Sequence, residues 1–379
     1  MNEIVLVAAS KFGLEALVKR EVQALGFADV QVSNGRIQFP AAVADIPRLN
    51  VWLRFADRVQ VLVGEFEAVS FDALFEQTKA LPWEVWIPAN GRFPVTAKTV
   101  KSQLQSGRSC QAIVKKAIVE RLKSHYHMVE FPETGPVFAV QVALYKNRAT
   151  LTLDTSGVGL HKRGYRVEAG AAPLKETLAA ALVQLSYWQP ERILLDPMCG
   201  SGTILIEAAM MARNMAPGLK RQFAAEGWPV IPARAWETAR EEARAAERPF
   251  PHPQLYGYDN DPAIIEIARQ NAIRAGVAAD IQFAVKPLDA LWIDRQYGVM
   301  ITNPPYGIRL ADKQAVNQLY IILNKIFRKK KGWSVYVLTA DRQFPKYFKR
   351  GRPDRVRKLY NGTIQVNYYQ YFGQKPPRG

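Results

Sequence analysis

Apolar and polar positions change period along the chain, and each change marks an element. Residues 3–9 form a short apolar run that predicts a strand. Leu14, Leu17, Val18, Val22 and Leu25 recur at helical spacing, with Gly26 placed to close that helix in a left-handed conformation. Residues 30–39 predict a strand pair turning at Asn34-Gly35, a strong hairpin dipeptide. Residues 51–67 suit a helix or a strand equally. Ala112, Ile113, Ala117, Ile118 and Leu122 predict an amphipathic helix, with Lys115, Lys116, Arg121 and Lys123 on its flanks and outer face. Residues 137–144 and 149–154 predict a closing strand pair around Lys146-Asn147. The first half reads as α+β.

From residue 170 onward, strands and helices alternate. Pro173 suits a first helical turn, and residues 174–187 continue it as an alanine-rich helix. Residues 192–196 form a short apolar strand that meets Pro197-Met198-Cys199-Gly200-Ser201-Gly202-Thr203, and a helix follows over 204–213. A second strand, 255–258, ends in Asp259. Asp261-Pro262 then opens a helix that Gly276 closes. Strands at 281–285 and 299–302 complete the pattern of an open α/β sheet.

The chain has 379 residues, enough for about two or three domains at roughly 150 residues each. Hydrophobic residues make up 48% and charged residues 22%, ordinary globular usage that excludes a disordered or low-complexity chain. No apolar run approaches the roughly 18 to 20 residues of a membrane span, and Met1 to Ala8 lacks the features of a secretory signal, so a cytosolic protein without a membrane partner is expected. Two cysteines and four histidines exclude a disulfide scaffold and a zinc constellation. No metal is expected.

Charge changes the picture most. The net charge of +17 favours a polyanionic partner. Residues 1–157 carry 18 basic and 15 acidic side chains, whereas residues 158–379 carry 33 and 19. Residues 90–123 hold eight cations, among them Lys98, Lys101, Arg108, Lys115 and Lys116, against Glu120 alone. Residues 324–358 hold thirteen against Asp341 and Asp354. An isolated basic run is usually a solvated face, but the first cluster lies within a patterned helical segment, where cations can track phosphates.

The strand–glycine turn–helix at 196–203 is a nucleotide-type loop. Its glycines let backbone N–H groups approach a ligand, and the helix N-terminus favours a carboxylate. It has no lysine, so it is not a Walker loop, and it lacks the third glycine of a dinucleotide fingerprint. Alone, such a turn also serves as a plain connection. Asp259, at a strand end and not needed for capping, is placed to accept the two hydroxyls of a ribose. Asp289 either stabilises its turn or receives an adenine amino group. The most specific signal is Asn303-Pro304-Pro305-Tyr306 at the end of the 299–302 strand. The prolines leave a rigid chain with exposed carbonyls, so the Asn303 side-chain oxygen and the Pro304 carbonyl can accept both hydrogens of one planar amine. Tyr306 offers a ring for a flat base to stack on.

These residues resemble a class I S-adenosylmethionine-dependent methyltransferase of the amino-group-modifying kind. Asp196, Cys199, Gly200, Ser201, Gly202 and Thr203, then Asp259, Asp289 and the NPPY run, stand in that family's order. Residues 334–339, 355–360 and 364–371, the last two joined across Asn361-Gly362, match its last parallel strand and terminal hairpin. Residues 98–124 resemble the core of a THUMP domain, an RNA-binding module, and residues 1–65 a ferredoxin-like segment.

The resemblance implies a Rossmann-like methyltransferase domain at 158–379 preceded by an α+β ferredoxin-like/THUMP region, divided at 1–65 and 66–157. It is nearest to bacterial enzymes that make N2-methylguanosine in 23S ribosomal RNA. It implies S-adenosyl-L-methionine as cofactor, Asn303, Pro304, Pro305 and Tyr306 as the catalytic run, and large-subunit rRNA as partner. RNA contact falls to Lys98, Lys101, Arg108, Lys115 and Lys116. Adenine-N6 methylation of RNA or DNA, tRNA guanine-N2 methylation, glutamine methylation of a protein and a non-catalytic RNA-binding role are the competing readings. The oligomeric state is not readable from the sequence.

Overall fold

The computed structural model describes residues 3–166, 174–305 and 310–374, with the backbone alone at 310–312. Pro173 and Tyr306 lie outside the described residues. In chain order the strands and helices are β1 (Ile4–Ala9), α1 (Glu15–Ala24), β2 (Gln31–Ser33), β3 (Arg36–Ala41), α2 (Asp45–Trp52), β4 (Arg58–Glu67), α3 (Phe71–Lys79), β5 (Val95–Val100), α4 (Gly107–Tyr126), β6 (Val140–Tyr145) and β7 (Arg148–Asp154). There follow α5 (Glu176–Leu185), β8 (Leu194–Asp196), α6 (Thr203–Ala212), α7 (Ala233–Ala245), β9 (Leu255–Asp259), α8 (Pro262–Ala275), β10 (Ile281–Val285), β11 (Gly298–Thr302), α9 (Leu310–Phe327), β12 (Trp333–Thr339), α10 (Phe344–Tyr347), β13 (Arg355–Asn361) and β14 (Ile364–Tyr371). The ambiguous stretch at 51–67 is the end of α2 followed by β4.

The chain forms two compact units. Residues 1–10, 18–160 and 221–242 make the first, and 11–17, 161–220 and 243–379 the second. The first unit holds one seven-stranded sheet in the order β2-β3-β1-β4-β7-β6-β5. β4 pairs with β1 on one side and β7 on the other, so one sheet runs through both the ferredoxin-like and THUMP segments. A division at 65/66 falls inside β4.

Residues 221–242 join the first unit although they follow residue 158 in sequence. Trp228 explains part of this: its indole is buried, stacks on Phe138 at a centroid distance of 4.7 Å and donates to the Val137 carbonyl at 2.9 Å.

The second unit is built on a sheet in the order β10-β9-β8-β11-β12-β14-β13. β10, β9, β8, β11 and β12 are mutually parallel, and β14 runs antiparallel to both of its neighbours, β12 and β13. Five strand ends therefore open on one edge, where ligands of such sheets bind. β11 is buried throughout, and aromatic side chains of Tyr320, Phe327, Trp333, Phe344 and Phe348 pack beside it. The hairpin β13–β14 turns at Gly362-Thr363, one residue later than the sequence suggested, because Asn361 still pairs with Ile364.

Candidate functional site

The loop from β8 to α6 is shaped by two different glycines. Gly202 has φ +79, and a Cβ there would stand 2.8 Å from Cζ of Phe283 and 3.2 Å from Cβ of Ala268. Gly202 is thus required by packing beneath the loop. Gly200 has φ +51, and a Cβ there would meet nothing within 4 Å. Its absent side chain leaves open space against the backbone, the room a ligand in close contact with the loop requires.

Asp196 ends β8 and is 1% exposed. It accepts the Met198 N–H at 3.2 Å. Burial pushes its carboxyl up to about 7, against the pull of Thr302 and the Met198 N–H and with a smaller push from Asp259. Thr203, also buried, accepts the Arg166 guanidinium at 2.7 Å. Cys199 is buried with its N–H on the Tyr258 carbonyl at 2.8 Å, and burial, followed by the Asp196 and Asp259 charges, holds its thiol well above the ordinary range. Ser201 is half-buried beside Thr203, with 3.3 Å between their hydroxyls.

Asp259, half-buried at the end of β9, binds this loop directly. One carboxylate oxygen accepts the Gly200 N–H at 3.0 Å and the other accepts the Asp261 N–H at 3.3 Å. A carboxylate has about four acceptor positions, so each oxygen retains capacity for a ligand hydroxyl. Asp261 caps α8 through the Ala263 N–H at 2.8 Å, as its sequence context predicts. Asp289 is exposed in a single turn after β10, anchored by buried Leu288. Asn303 is half-buried, Pro304 buried and Pro305 exposed, directly after β11. The parallel order β10-β9-β8-β11 places Asp289, Asp259, the glycine loop and Asn303 at the same edge. An open glycine cradle flanked by a carboxylate suits a ligand with ribose hydroxyls, and S-adenosylmethionine carries both.

Two contributors were not singled out from sequence. Arg166 positions Thr203, and Lys286 places its ammonium 4.9 Å from the centroid of the Tyr258 ring at the ends of β10 and β9. Both depend on neighbours distant in sequence, so no local pattern assigns them these roles. Among the described residues, no group of three His, Cys, Asp or Glu could hold a metal.

The basic residues of the first unit divide into two sets. Lys98 on β5, Lys101 in the following loop and Arg108 in the first turn of α4 are exposed. Near them lies a polar concavity of about 580 Å³, lined by Thr99, Lys101, Ser102, Gln103, Gln105 and Asn147. Lys115 is held locally: its ammonium is 3.2 Å from the Phe93 carbonyl, 3.2 Å from the Glu133 carboxylate and 3.6 Å from the centroid of the Phe93 ring. Arg121 is paired with Glu84, whose carboxyl it holds below the ordinary range. Lys116 is exposed, 5.7 Å from the Phe75 ring. The phase of α4 also differs from expectation. Ala112 is exposed, whereas Cys110 and Val114 join Ala117, Ile118 and Leu122 in the core.

Three family descriptions match the chain. Residues 5–60 match the RlmL ferredoxin-like domain, 68–154 the THUMP domain and 163–370 the RMKL-like methyltransferase domain. The putative RNA methyltransferase YpsC of Bacillus subtilis is 45% identical, covering 100% of this chain and 98% of that protein. The ribosomal RNA large subunit methyltransferase K/L of Desulfotalea psychrophila is 36% identical over 96% of this chain, which spans only 52% of that relative. Among solved structures, SMU.472, described as a putative methyltransferase complexed with SAH, superposes with a TM-score of 0.93 at 42% identity and covers 100% of both chains.

Proposed function

Given that the chain belongs to the RMKL-like methyltransferase family, we propose that it methylates the exocyclic N2 amine of a guanine in 23S ribosomal RNA, using S-adenosylmethionine. Residues 158–379 carry the transfer, and residues 1–65 and 66–157 hold the RNA. The supporting observation is the shared strand edge: Asn303-Pro304 follows β11, and β8, paired with β11, leads into the glycine loop that Asp259 holds.

S-adenosylmethionine, when bound, supplies an electrophilic methyl carbon. Asp259 would accept its ribose hydroxyls and Asp289 its adenine amino group, and the backbone at Gly200 and Ser201 would hold it. The other cofactor-loop residues, Asp196, Cys199, Gly202 and Thr203, shape that backbone.

An exocyclic amine is a weak nucleophile because its lone pair is delocalised into the ring. The Asn303 side-chain oxygen and the Pro304 carbonyl each accept one of its hydrogens, which aims the lone pair and draws the nitrogen toward tetrahedral geometry. Pro305 keeps the run rigid, and the ring of Tyr306, which lies outside the described residues, is proposed from the sequence alone as the surface for the base. The proton leaves to water or a carbonyl once the nitrogen is positively charged, so no strong base is needed. Cys110 and Cys199 are both buried with their thiols pushed up, which disfavours a thiolate nucleophile. The target base must leave any duplex to reach this edge.

Nucleosides from the rRNA of a deletion strain and its complemented partner, resolved by mass spectrometry, test the reading. Loss and recovery of N2-methylguanosine at one site is expected. The same Asn-Pro-Pro run can also present an adenine amine, so loss of N6-methyladenosine instead would establish that second reading. An unchanged nucleoside profile would overturn both.

A further inference from the structure

α9 starts just after the Asn303-Pro304-Pro305 run and leads away from the catalytic edge toward β12. The segment after β12 then runs back beside it. Phe344 packs on Tyr320 of α9 at 4.9 Å, Tyr347 lies 6.3 Å from the same ring, and Arg350 donates to the Lys330 carbonyl at 3.2 Å. Between the two lies a cleft of about 730 Å³. Lys325, Arg328 and Lys329 line one side, Lys346 and Lys349 the other, and half-buried Tyr347 lies between them. No carboxylate lines the cleft.

Neighbouring cations have structural duties that these five do not share. Lys330 donates to the Ile293 carbonyl at 2.6 Å, and Arg350 donates to the Trp333 carbonyl at 2.6 Å. The five lining side chains are exposed, and among the described residues none forms an ion pair. The C-terminus of α9 favours cations through its dipole, which accounts for Lys325, Arg328 and Lys329. It does not account for Lys346 and Lys349, which come from another element and face the same space. Five like charges around one concavity repel one another unless an anion lies between them.

We propose that this cleft binds the sugar–phosphate backbone of the RNA substrate, as a single strand leading away from the methylated base. This rests on the reading of the protein as an RNA methyltransferase. Cations on both walls would contact successive phosphates, and Tyr347 with Ile321 provides an apolar floor for a sugar or base, the combination that suits single strands. At 1.5 Å per residue, Ile321 lies roughly 16 Å along α9 from Leu310, so the contacted phosphates are several nucleotides from the target.

The test uses the full chain, a fluorescein-labelled single-stranded RNA of mixed sequence, anisotropy at several salt concentrations and calorimetry with S-adenosylhomocysteine. Lys325→Glu with Lys346→Glu is expected to weaken RNA binding by roughly 10-fold and flatten the log–log salt slope by about 1.4, at about 0.7 per lost phosphate contact. S-adenosylhomocysteine binding should be unchanged. Lys325→Gln with Lys346→Gln should show the same direction and serves if the reversal variant fails to fold. RNA affinity and salt slope equal to wild type would overturn the cleft alone. An equal loss in Arg234→Glu with Arg244→Glu, the same charge change on α7, would overturn it too. A wild-type chain that binds no RNA would overturn the RNA reading and the cleft together.

Discussion

Asp259 at the end of β9 accepts the backbone N–H of Gly200 at 3.0 Å, across 59 positions of sequence. The carboxylate proposed to bind the cofactor's ribose therefore also fixes the loop against which that cofactor lies. Asp259→Ala removes both functions and should raise the Kd for S-adenosylhomocysteine by roughly 10- to 100-fold, the scale of one or two hydrogen bonds to a charged group. Asp259→Asn, which keeps an oxygen for the loop, should fall between. Calorimetry on the three proteins checks the order.

The two loop glycines should fail in different ways. Gly202→Ala drives a methyl into Phe283 at a left-handed φ and should cost about 2 kcal/mol or more of stability, visible as a lower Tm. Gly200→Ala should cost only about 1 kcal/mol of backbone strain, because no protein atom meets the new methyl. Its larger effect should be on S-adenosylhomocysteine binding, since the methyl enters the cofactor's space. Equal binding by Gly200→Ala and wild type would contradict that placement.

Asp196 should make the ligand-free protein sensitive to pH. Its carboxyl sits at about 7 in the folded chain against an ordinary 3.8, so the folded state retains a proton that the unfolded state releases. The resulting stabilisation is present in full below about pH 4 and is lost as pH rises through 7, with an upper scale on the order of 4 kcal/mol. Asp196→Asn is neutral at every pH. The stability of wild type relative to this variant should therefore decline between about pH 4 and 7 in thermal melts, and a constant difference would refute the assignment.

Among the cations of the first unit, Lys98, Lys101 and Arg108 should matter more for RNA than Lys115. The triple reversal to Glu should weaken RNA binding by roughly 10-fold or more with a shallower salt dependence. Lys115→Glu alone should do less, because that ammonium is already engaged by Glu133 and Phe93. Salt titrations of RNA affinity for the two variants separate these outcomes.

Asn303→Ala should abolish detectable transfer, with a loss of roughly 100-fold or more expected for removing a preorganised polar contact to the reacting nitrogen. Affinity for S-adenosylhomocysteine should stay within about twofold of wild type, which keeps the defect in the chemistry. Single-turnover methylation beside calorimetry gives both numbers.

Much of the site could be read locally. Asp261-Pro262 and Gly276 mark the ends of α8, and the structure uses them as cap, first turn and left-handed closure. The Asn34-Gly35 and Lys146-Asn147 turns also stand where the pattern places them, and positive φ at Gly35, Lys146 and Asn147 matches their residue types. The order of Asp196, Gly200, Gly202, Asp259 and Asn303 along alternating strands was enough to propose a common edge. These signals survive without a structure because each is set by the conformational preferences of a few adjacent residues.

Sequence alone thus determined the types of the strongly patterned elements, the strand-end positions of the candidate site and the surplus of positive charge. The tertiary structure decided which cations are already engaged, which glycine serves packing and which borders open space, and that β4 joins β7 in one sheet. It also brought Trp228 into the first unit and Lys325 opposite Lys346 across one cleft. The reason is the range of the forces involved. Backbone propensity and capping act within a turn, whereas burial, ion pairing and desolvation depend on groups that only folding brings within a few ångströms.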